Sequence, residues 1–372
     1  MSLLAIDVGA GTQDILLYRE DLPLEGLTKM VLPSPTVLVG NRIREAGKRG
    51  LDIFLRGPTM GGGDFSQAVR EHLAAGLAVY ATPSAAATLN DNLERVAAMG
   101  VIIVQGGGDG DVSGGGCAVK DSGKGSSKGS GNSVPPSAQV IETGDIDLLA
   151  LGAALRLFDI DLPDDIAVAV QDHGFSPNRS NRLVRFEHLA SAIGSGGSLQ
   201  AFAYREPPAA MSRMKAVRDV LADAGHRPLL MDTGPAAIFG AAQDLWDRRP
   251  ALIVNFGNGH TVAAVLDEGH ITSLFEHHTA DLSPETLRGY VKKLCNGTLK
   301  SEEIFQDGGH GACIESVPEE IGEILVTGPQ RQPFLASGAL PGARAAAPAG
   351  DMMIAGCIGL LSAWKAREDL WR

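Results

Sequence analysis

Short apolar runs alternate along this chain with longer segments in which apolar positions recur every three or four residues. The short runs predict strands at 3–8, 13–18, 52–57, 78–82, 101–105, 166–171, 228–232, 251–256, 261–266, 271–275 and 323–327. The periodic segments predict helices at 65–75, 84–99, 145–158, 181–193, 211–224, 235–247, 283–295 and 352–370. Pro83 and Gly100 bracket the 84–99 segment, the proline-in and glycine-out asymmetry of helix ends. Strand and helix in alternation predict an α/β fold of layered sheet and helix.

One region breaks the pattern. KDSGKGSSKGSGNSVPPS, residues 120–137, has no apolar period and predicts a flexible surface loop. The run before it, QGGGDGDVSGGG, lacks both a following G-K-[ST] and a repeated nonapeptide, which argues against a phosphate cradle or a calcium repeat.

With 372 residues the chain exceeds the size at which one core usually stops growing, so two domains are expected. A net charge of −12 argues against a general nucleic-acid binder, and 44% hydrophobic residues exclude a wholly disordered chain. No long uncharged apolar run is present, and the first residues lack a basic region followed by a separate apolar core. A cytoplasmic protein with no membrane partner is the expectation. Cys117, Cys295, Cys313 and Cys357 are scattered without C-x-x-C spacing, which predicts reduced, structural thiols and no iron–sulfur cluster.

The most informative feature is an internal echo. AIDVGAGTQDILL, residues 5–17, and IVNFGNGHTVAAV, residues 253–265, each run strand, polar residue, G-x-G, polar pair, strand. Asp7 aligns with Asn255, Gly9 with Gly257, Gly11 with Gly259 and Thr12 with His260. A G-x-G bend lets backbone amides approach an anion with no Cβ in the way. Residues Gly9, Ala10, Gly11 and Thr12, with Gly257, Asn258, Gly259 and Thr261, are therefore candidate phosphate contacts. Asp7 is the candidate ligand of a hydrated Mg²⁺, and Asp14 a second contact to metal-bound water. Either bend alone reads equally well as an ordinary hairpin. The pair, followed by EILVTGPQR at 323–331, favours phosphate: Gly328 of the T-G-P turn (Thr327, Gly328, Pro329) can pass under a flat ring, with Arg331 close by.

In this order the three elements resemble the phosphate-1, phosphate-2 and adenosine motifs of the actin-like ATPase superfamily, which includes sugar kinases, acetate kinases, heat-shock chaperones and actin. More narrowly, QDHGFSPNRSNRLVRF, NFGNGHTVAAV, FEHHT and LVTGPQR resemble a family labelled "putative pyruvate formate-lyase activating enzyme". The resemblance implies two actin-like (ribonuclease H-like) α/β domains, 1–234 and 235–350, a nucleotide cleft between them, and a C-terminal helix in 351–372 near the hinge. It implies ATP and Mg²⁺ as cofactors, with ATP hydrolysis or phosphoryl transfer to a small substrate. The alternative it implies is an ATP-driven conformational activator of a metalloenzyme partner. Asn255 departs from the superfamily, whose second phosphate motif opens with aspartate, and so adds no charge. The label's radical chemistry resembles that of enzymes with a C-x-x-x-C-x-x-C site, which this sequence does not contain.

Further polar groups sit at predicted strand ends. Gly61, Gly62 and Gly63 can offer amides to an anionic substrate, with Asp64 as a helix cap, and these four with Gln171, Glu276, His277 and His278 are the candidate substrate contacts. Gln171, Asp172 and His173 end a strand, where Asp172 and His173 are candidates for an acid–base pair. His260 follows the second bend and is a candidate for positioning water or phosphate. In FEHHT, His277 and His278 point to opposite faces if extended, so both cannot bind one metal. Glu276 and two histidines, from a set that includes His260 and His310, could make a zinc site. His310 is also the only nearby base for Cys313, in a segment read as a loop.

Overall fold

The computed structural model describes residues 1–104, 134–247 and 249–368. The glycine-rich run at 105–116, Cys117 and most of the segment 120–137 lie outside the described residues. The chain divides into two compact units, Met1–Leu38 with Gly144–Arg372, and Val39–Thr143.

The first unit opens with β1 (Ser2–Val8), β2 (Thr12–Arg19) and β3 (Thr28–Pro33). Next come α1 (Pro35–Lys48), most of it in the second unit, then β4 (Ile53–Arg56), α2 (Gly63–Ala74), β5 (Val79–Ala81), α3 (Pro83–Ala87), α4 (Leu93–Ala98), β6 (Val101–Ile103) and β7 (Gln139–Glu142). The first unit resumes with α5 (Leu148–Arg156), β8 (Asp165–Val170), α6 (Asn181–Gly194), β9 (Ala203–Tyr204), α7 (Ser212–Asp223), β10 (Arg227–Met231) and α8 (Thr233–Ala241). It ends with β11 (Ala251–Phe256), β12 (His260–Asp267), β13 (His270–His278), α9 (Pro284–Cys295), α10 (Ser301–Gln306), β14 (Gly311–Ile314), β15 (Glu323–Thr327), α11 (Arg331–Ala336), β16 (Arg344–Ala345) and α12 (Ala355–Glu368).

The first unit holds two six-stranded sheets, ordered β3-β2-β1-β8-β10-β9 and β14-β13-β12-β11-β15-β16. Each starts as an antiparallel meander (β1, β2, β3; β11, β12, β13) and continues with a parallel strand beside the meander's first strand, β8 on β1 and β15 on β11. The internal echo is thus a repeat of topology: the chain builds one α/β plan twice. β8, DIAVAV, is buried throughout, as a parallel strand covered on both faces must be.

One core spans both sheets. Leu3, Ala167 and Met231 from the first share it with Ile253, Ala264 and Leu274 from the second, and with Ile238 of α8 and Leu361 of α12. Those two helices cross at close range. A Cβ on Gly240 would lie 1.7 Å from the carbonyl oxygen of Ala355, and one on Gly359 would lie 2.0 Å from that of Ala236. Backbone cannot yield as a flexible side chain can, so Gly240→Ala is expected to destabilise the fold by about 3 kcal/mol or more. A thermal melt checks this; an unchanged melting temperature would show that the crossing can open without penalty.

The second unit carries a parallel sheet ordered β6-β5-β4-β7 over a core that includes Ile43, Ile53, Leu55, Phe65, Val79 and Val101. Gly61, Gly62 and Gly63 lead into α2 here. Asp64 is not the cap: it lies inside the helix, whose N-cap is Gly62. Its carboxylate takes both terminal nitrogens of Arg44, each at 2.7 Å, and the guanidinium holds it below the usual carboxylate range.

Other local expectations change for physical reasons. The 84–99 segment splits into α3 and α4 because Asn92 leaves helical geometry and its side chain accepts the amides of Glu94 and Arg95. The helix expected at 235–247 ends at Ala241, and the C-terminal helix begins at Ala355 rather than 352. β14 replaces the loop expected around Cys313 by pairing with β13. β3, α1, β7, α10 and α11 arise where the apolar pattern is too short or too mixed to mark them. Among the described residues no helix is long and apolar enough to cross a membrane.

Candidate functional site

The two G-x-G bends have the same internal geometry. Gly9 N–H donates to the Thr12 carbonyl at 2.9 Å, and Gly257 N–H donates to the His260 carbonyl at 2.9 Å. The bends also face each other, since a Cβ on Gly11 would come within 2.8 Å of Asn258 Nδ2. The third motif closes on the same place. Gly328 has a φ of +90°, and a Cβ there would lie 2.3 Å from the Phe256 carbonyl oxygen and 2.6 Å from Asn255 Oδ1. Only glycine satisfies both demands. Gln330 reaches across to Asn258 Oδ1 at 2.9 Å, and Arg331 donates back to the Gly328 carbonyl at 3.0 Å. Thr327 is buried and Pro329 exposed. Thr261 is fully buried with its hydroxyl 3.0 Å from that of Thr279, which donates to the Gly257 carbonyl, so this pair shapes the bend from below.

Asp7 and Asp14 are cross-strand partners in β1 and β2, and both are buried. Asp7 Oδ1 accepts the Thr233 hydroxyl at 2.6 Å. Its other oxygen packs on α12, where a Cβ on Gly356 would lie 1.9 Å away. Asp14 Oδ1 is buried without a hydrogen-bond partner. Burial pushes Asp7 up to about 7; burial and the charge of Asp7 push Asp14 up to about 8. Two adjacent buried carboxylates need a shared proton or a cation. Hard oxygen donors, one of them unpartnered, fit Mg²⁺, which binds through one or two carboxylates and keeps several waters. Cys357 lies beneath, its Sγ 3.1 Å from the Asp14 carbonyl, and burial raises its thiol well above the usual value. It is an inert packing group.

Arg185 of α6 ties the two sheets together. Its guanidinium is buried, pairs with both oxygens of Asp232 after β10, and donates to both oxygens of Glu276 on β13, with Nε to Oε2 at 2.8 Å. It also donates to the Asp172 carbonyl at 3.0 Å, and Gln171 donates to Glu276 Oε1 at 3.0 Å. Gln171 and Glu276 are therefore engaged in the framework. Asp172 has a different task from the acid–base pairing expected of it: its two oxygens accept the amides of Gly174 and Met214, each at 2.8 Å, and so fold the turn that carries His173.

Beside this network four imidazoles gather from separate elements. Ring centroids lie 5.6 Å apart for His173 and His260, 5.4 Å for His173 and His310, 4.8 Å for His260 and His310, and 4.6 Å for His260 and His278. His277 points the other way, its ring beside Tyr290 and its Nε2 3.3 Å from Asp307. Alternation along β13 separates the adjacent pair. Burial pushes His260 down to about 4, and burial together with the Arg185 charge pushes His310 down to about 2. His173 and His278 also shift downward through burial, so the cluster is neutral near pH 7.

Arg185, Asp232 and Thr233 escaped the sequence reading, and His310 entered it only as an auxiliary. Arg185 occupies an apolar-face position of α6 beside Phe186, where a sequence pattern predicts a hydrophobe. Asp232 and Thr233 do carry a signal: they directly follow the buried end of β10, where Asp232 caps α8.

Residues 60–333 match the family described as "Putative pyruvate format-lyase activating enzyme (DUF1786)". The chain belongs to this family. No curated protein matches it in sequence. Among solved structures it is similar to the ethanolamine utilization protein EutJ from Carboxydothermus hydrogenoformans, with 13% identity, 97% of this chain and 89% of that one covered, and a TM-score of 0.33. It is also similar to MreB 5 of Spiroplasma citri bound to AMPPNP (12% identity, 61% and 78% covered, TM-score 0.31) and to the Ppx/GppA family member of Aquifex aeolicus (9% identity, 88% and 66% covered, TM-score 0.31). At such scores the functional reading of this family member rests on its own geometry.

Proposed function

We propose that the first unit binds ATP with Mg²⁺ and hydrolyses it or transfers its phosphoryl group to a small acceptor. The observation that carries this reading is the meeting of three motifs far apart in sequence: the two facing bends, and the Gly328 turn packed against the second of them. Asp7, with Asp14, would hold the ion, which supplies charge stabilisation for phosphoryl oxygens. The amides of Gly9–Thr12 and Gly257–Gly259 would orient the phosphates. Thr327 to Arg331 would border the base. Asn255 leaves one wall of the site uncharged, so the carboxylates of β1 and β2 carry the metal-binding role alone. Catalysis in such a site comes from positioning and from donors fixed before the reaction, not from a covalent step.

Asp7→Ala is expected to lower ATP turnover by about 100-fold or more and to weaken binding of Mg²⁺-AMPPNP measured by calorimetry. Unchanged affinity and turnover would overturn the reading. Phosphate release with no acceptor present separates the two modes within it: release indicates hydrolysis, as an ATP-driven activator of a partner protein requires, whereas dependence on an added acceptor indicates a kinase.

A further inference from the structure

We propose that His173, His260 and His310 form a binding site for one divalent transition-metal ion of the zinc class. The site is separate from the Asp7–Asp14 pair and does not rest on the nucleotide reading.

The ligand atoms of these three side chains lie within 4.8 Å of one another. Metal–nitrogen bonds of about 2.0–2.1 Å put the nitrogens of a tetrahedral site about 3.4 Å apart. The cluster therefore closes on an ion when its rings draw in by about an ångström. The three residues come from the turn after β8, the first position of β12 and the turn before β14, so the fold, not a local motif, brings them together.

A second observation points to a ligand. His310 is fully buried, and neither of its ring nitrogens has a hydrogen-bond partner; His260 Nε2 is buried and unpartnered as well. Buried imidazole nitrogens are normally satisfied, because leaving one without a partner forfeits its hydration for nothing. An ion would satisfy several at once.

The surroundings suit a cation despite the nearby guanidinium. Arg185 carries one positive charge against the two carboxylates of Asp232 and Glu276, which leaves the network a net −1. Glu276 Oε2 also stands 3.5 Å from His310 Nδ1, the place where a carboxylate orients a metal-bound imidazole from behind. Imidazole donors select zinc, iron, nickel or copper over magnesium, so the two sites would sort ions by donor chemistry. Three protein ligands leave a coordination position open, which is the pattern of catalytic rather than structural zinc sites. His278 lies 5.2 Å from His310 by ring centroid and is not one of the three.

The test uses the full chain, stripped of metal and titrated with Zn²⁺ alone, then with Co²⁺ as a spectroscopic probe. One equivalent of Zn²⁺ per chain and visible Co²⁺ absorption of a four- or five-coordinate nitrogen site are expected. His173→Gln, on a turn, and His310→Asn should each weaken Zn²⁺ binding by about 100-fold, while His277→Gln, whose ring faces away, should not. Circular dichroism reports whether each variant folds, and the wild-type titration stands without them. Stoichiometry well below one, or Zn²⁺ binding unaffected by a folded His173→Gln, overturns the proposal. Mg²⁺-AMPPNP binding measured on the same samples keeps this result separate from the fate of the nucleotide reading.

Discussion

Arg185→Ala is expected to destabilise the protein by about 3–5 kcal/mol, read as a shift of the denaturant midpoint. The guanidinium is 2% exposed and engages two carboxylates that are 4% and 0% exposed. Its removal leaves Asp232 and Glu276 charged, buried and close together, so the penalty comes from two orphaned anions more than from lost attraction. At present burial works against the charge of Glu276, yet Arg185 holds that carboxyl below its usual range. Arg185→Lys keeps the charge but cannot fork across two carboxylates, and is expected to lose a smaller, still measurable share. The triple variant Arg185→Met, Asp232→Asn, Glu276→Gln should be more stable than Arg185→Ala alone, because it leaves no unpaired charge. If Arg185→Ala melts like the native protein, the network is ornamental and the two sheets are held by apolar packing alone.

The second large effect concerns pH. In metal-free protein, stability is expected to fall by about 1 kcal/mol between pH 7 and 9. Asp7 and Asp14 have folded values of about 7 and about 8 against an ordinary 3.8. The folded state therefore holds protons that the unfolded state has already released, and stability is lost as pH rises through the folded values. The histidines act in the opposite sense. His260 and His310 fall from 6.5 to about 4 and about 2, so they oppose folding only below about pH 7.5, where the unfolded chain takes up protons that the folded one refuses. Above that pH they are neutral in both states, and the carboxylates act alone. Asp7→Asn with Asp14→Asn should flatten the slope, and saturating Mg²⁺ should both flatten it and raise the melting temperature near pH 8. A melting temperature that stays level or rises from pH 7 to 9 in chelated buffer would contradict the raised carboxyls.

Much of the framework could be read in advance because it is local. A buried strand is a short apolar run, a bend of G-x-G is three residues, and the match between residues 5–17 and 253–265 appears in the structure as two meanders of one plan. Gly328 was legible as a place of close approach, since T-G-P ends a strand, whereas its φ of +90° is a finding of the structure. The 84–99 helix failed because an asparagine's hydrogen bond to the backbone outweighed an apolar period that looked continuous. Nothing in the local pattern announces the compact unit at 39–143, whose sheet is assembled from strands separated by helices and by the segment outside the described residues.

Asp7, the two bends and the Gly328 turn were set by the sequence itself, because the chemistry of each is contained in a few adjacent residues. Only the tertiary structure decided which distant groups share a buried space. It placed Arg185 between Asp232 and Glu276, took Asp172 away from His173 to fold a turn, and gathered His173, His260 and His310 from two turns and the start of a strand. Such clusters form because sheet order brings strand ends together, and the cost of burying a polar atom depends on neighbours that sequence spacing does not reveal.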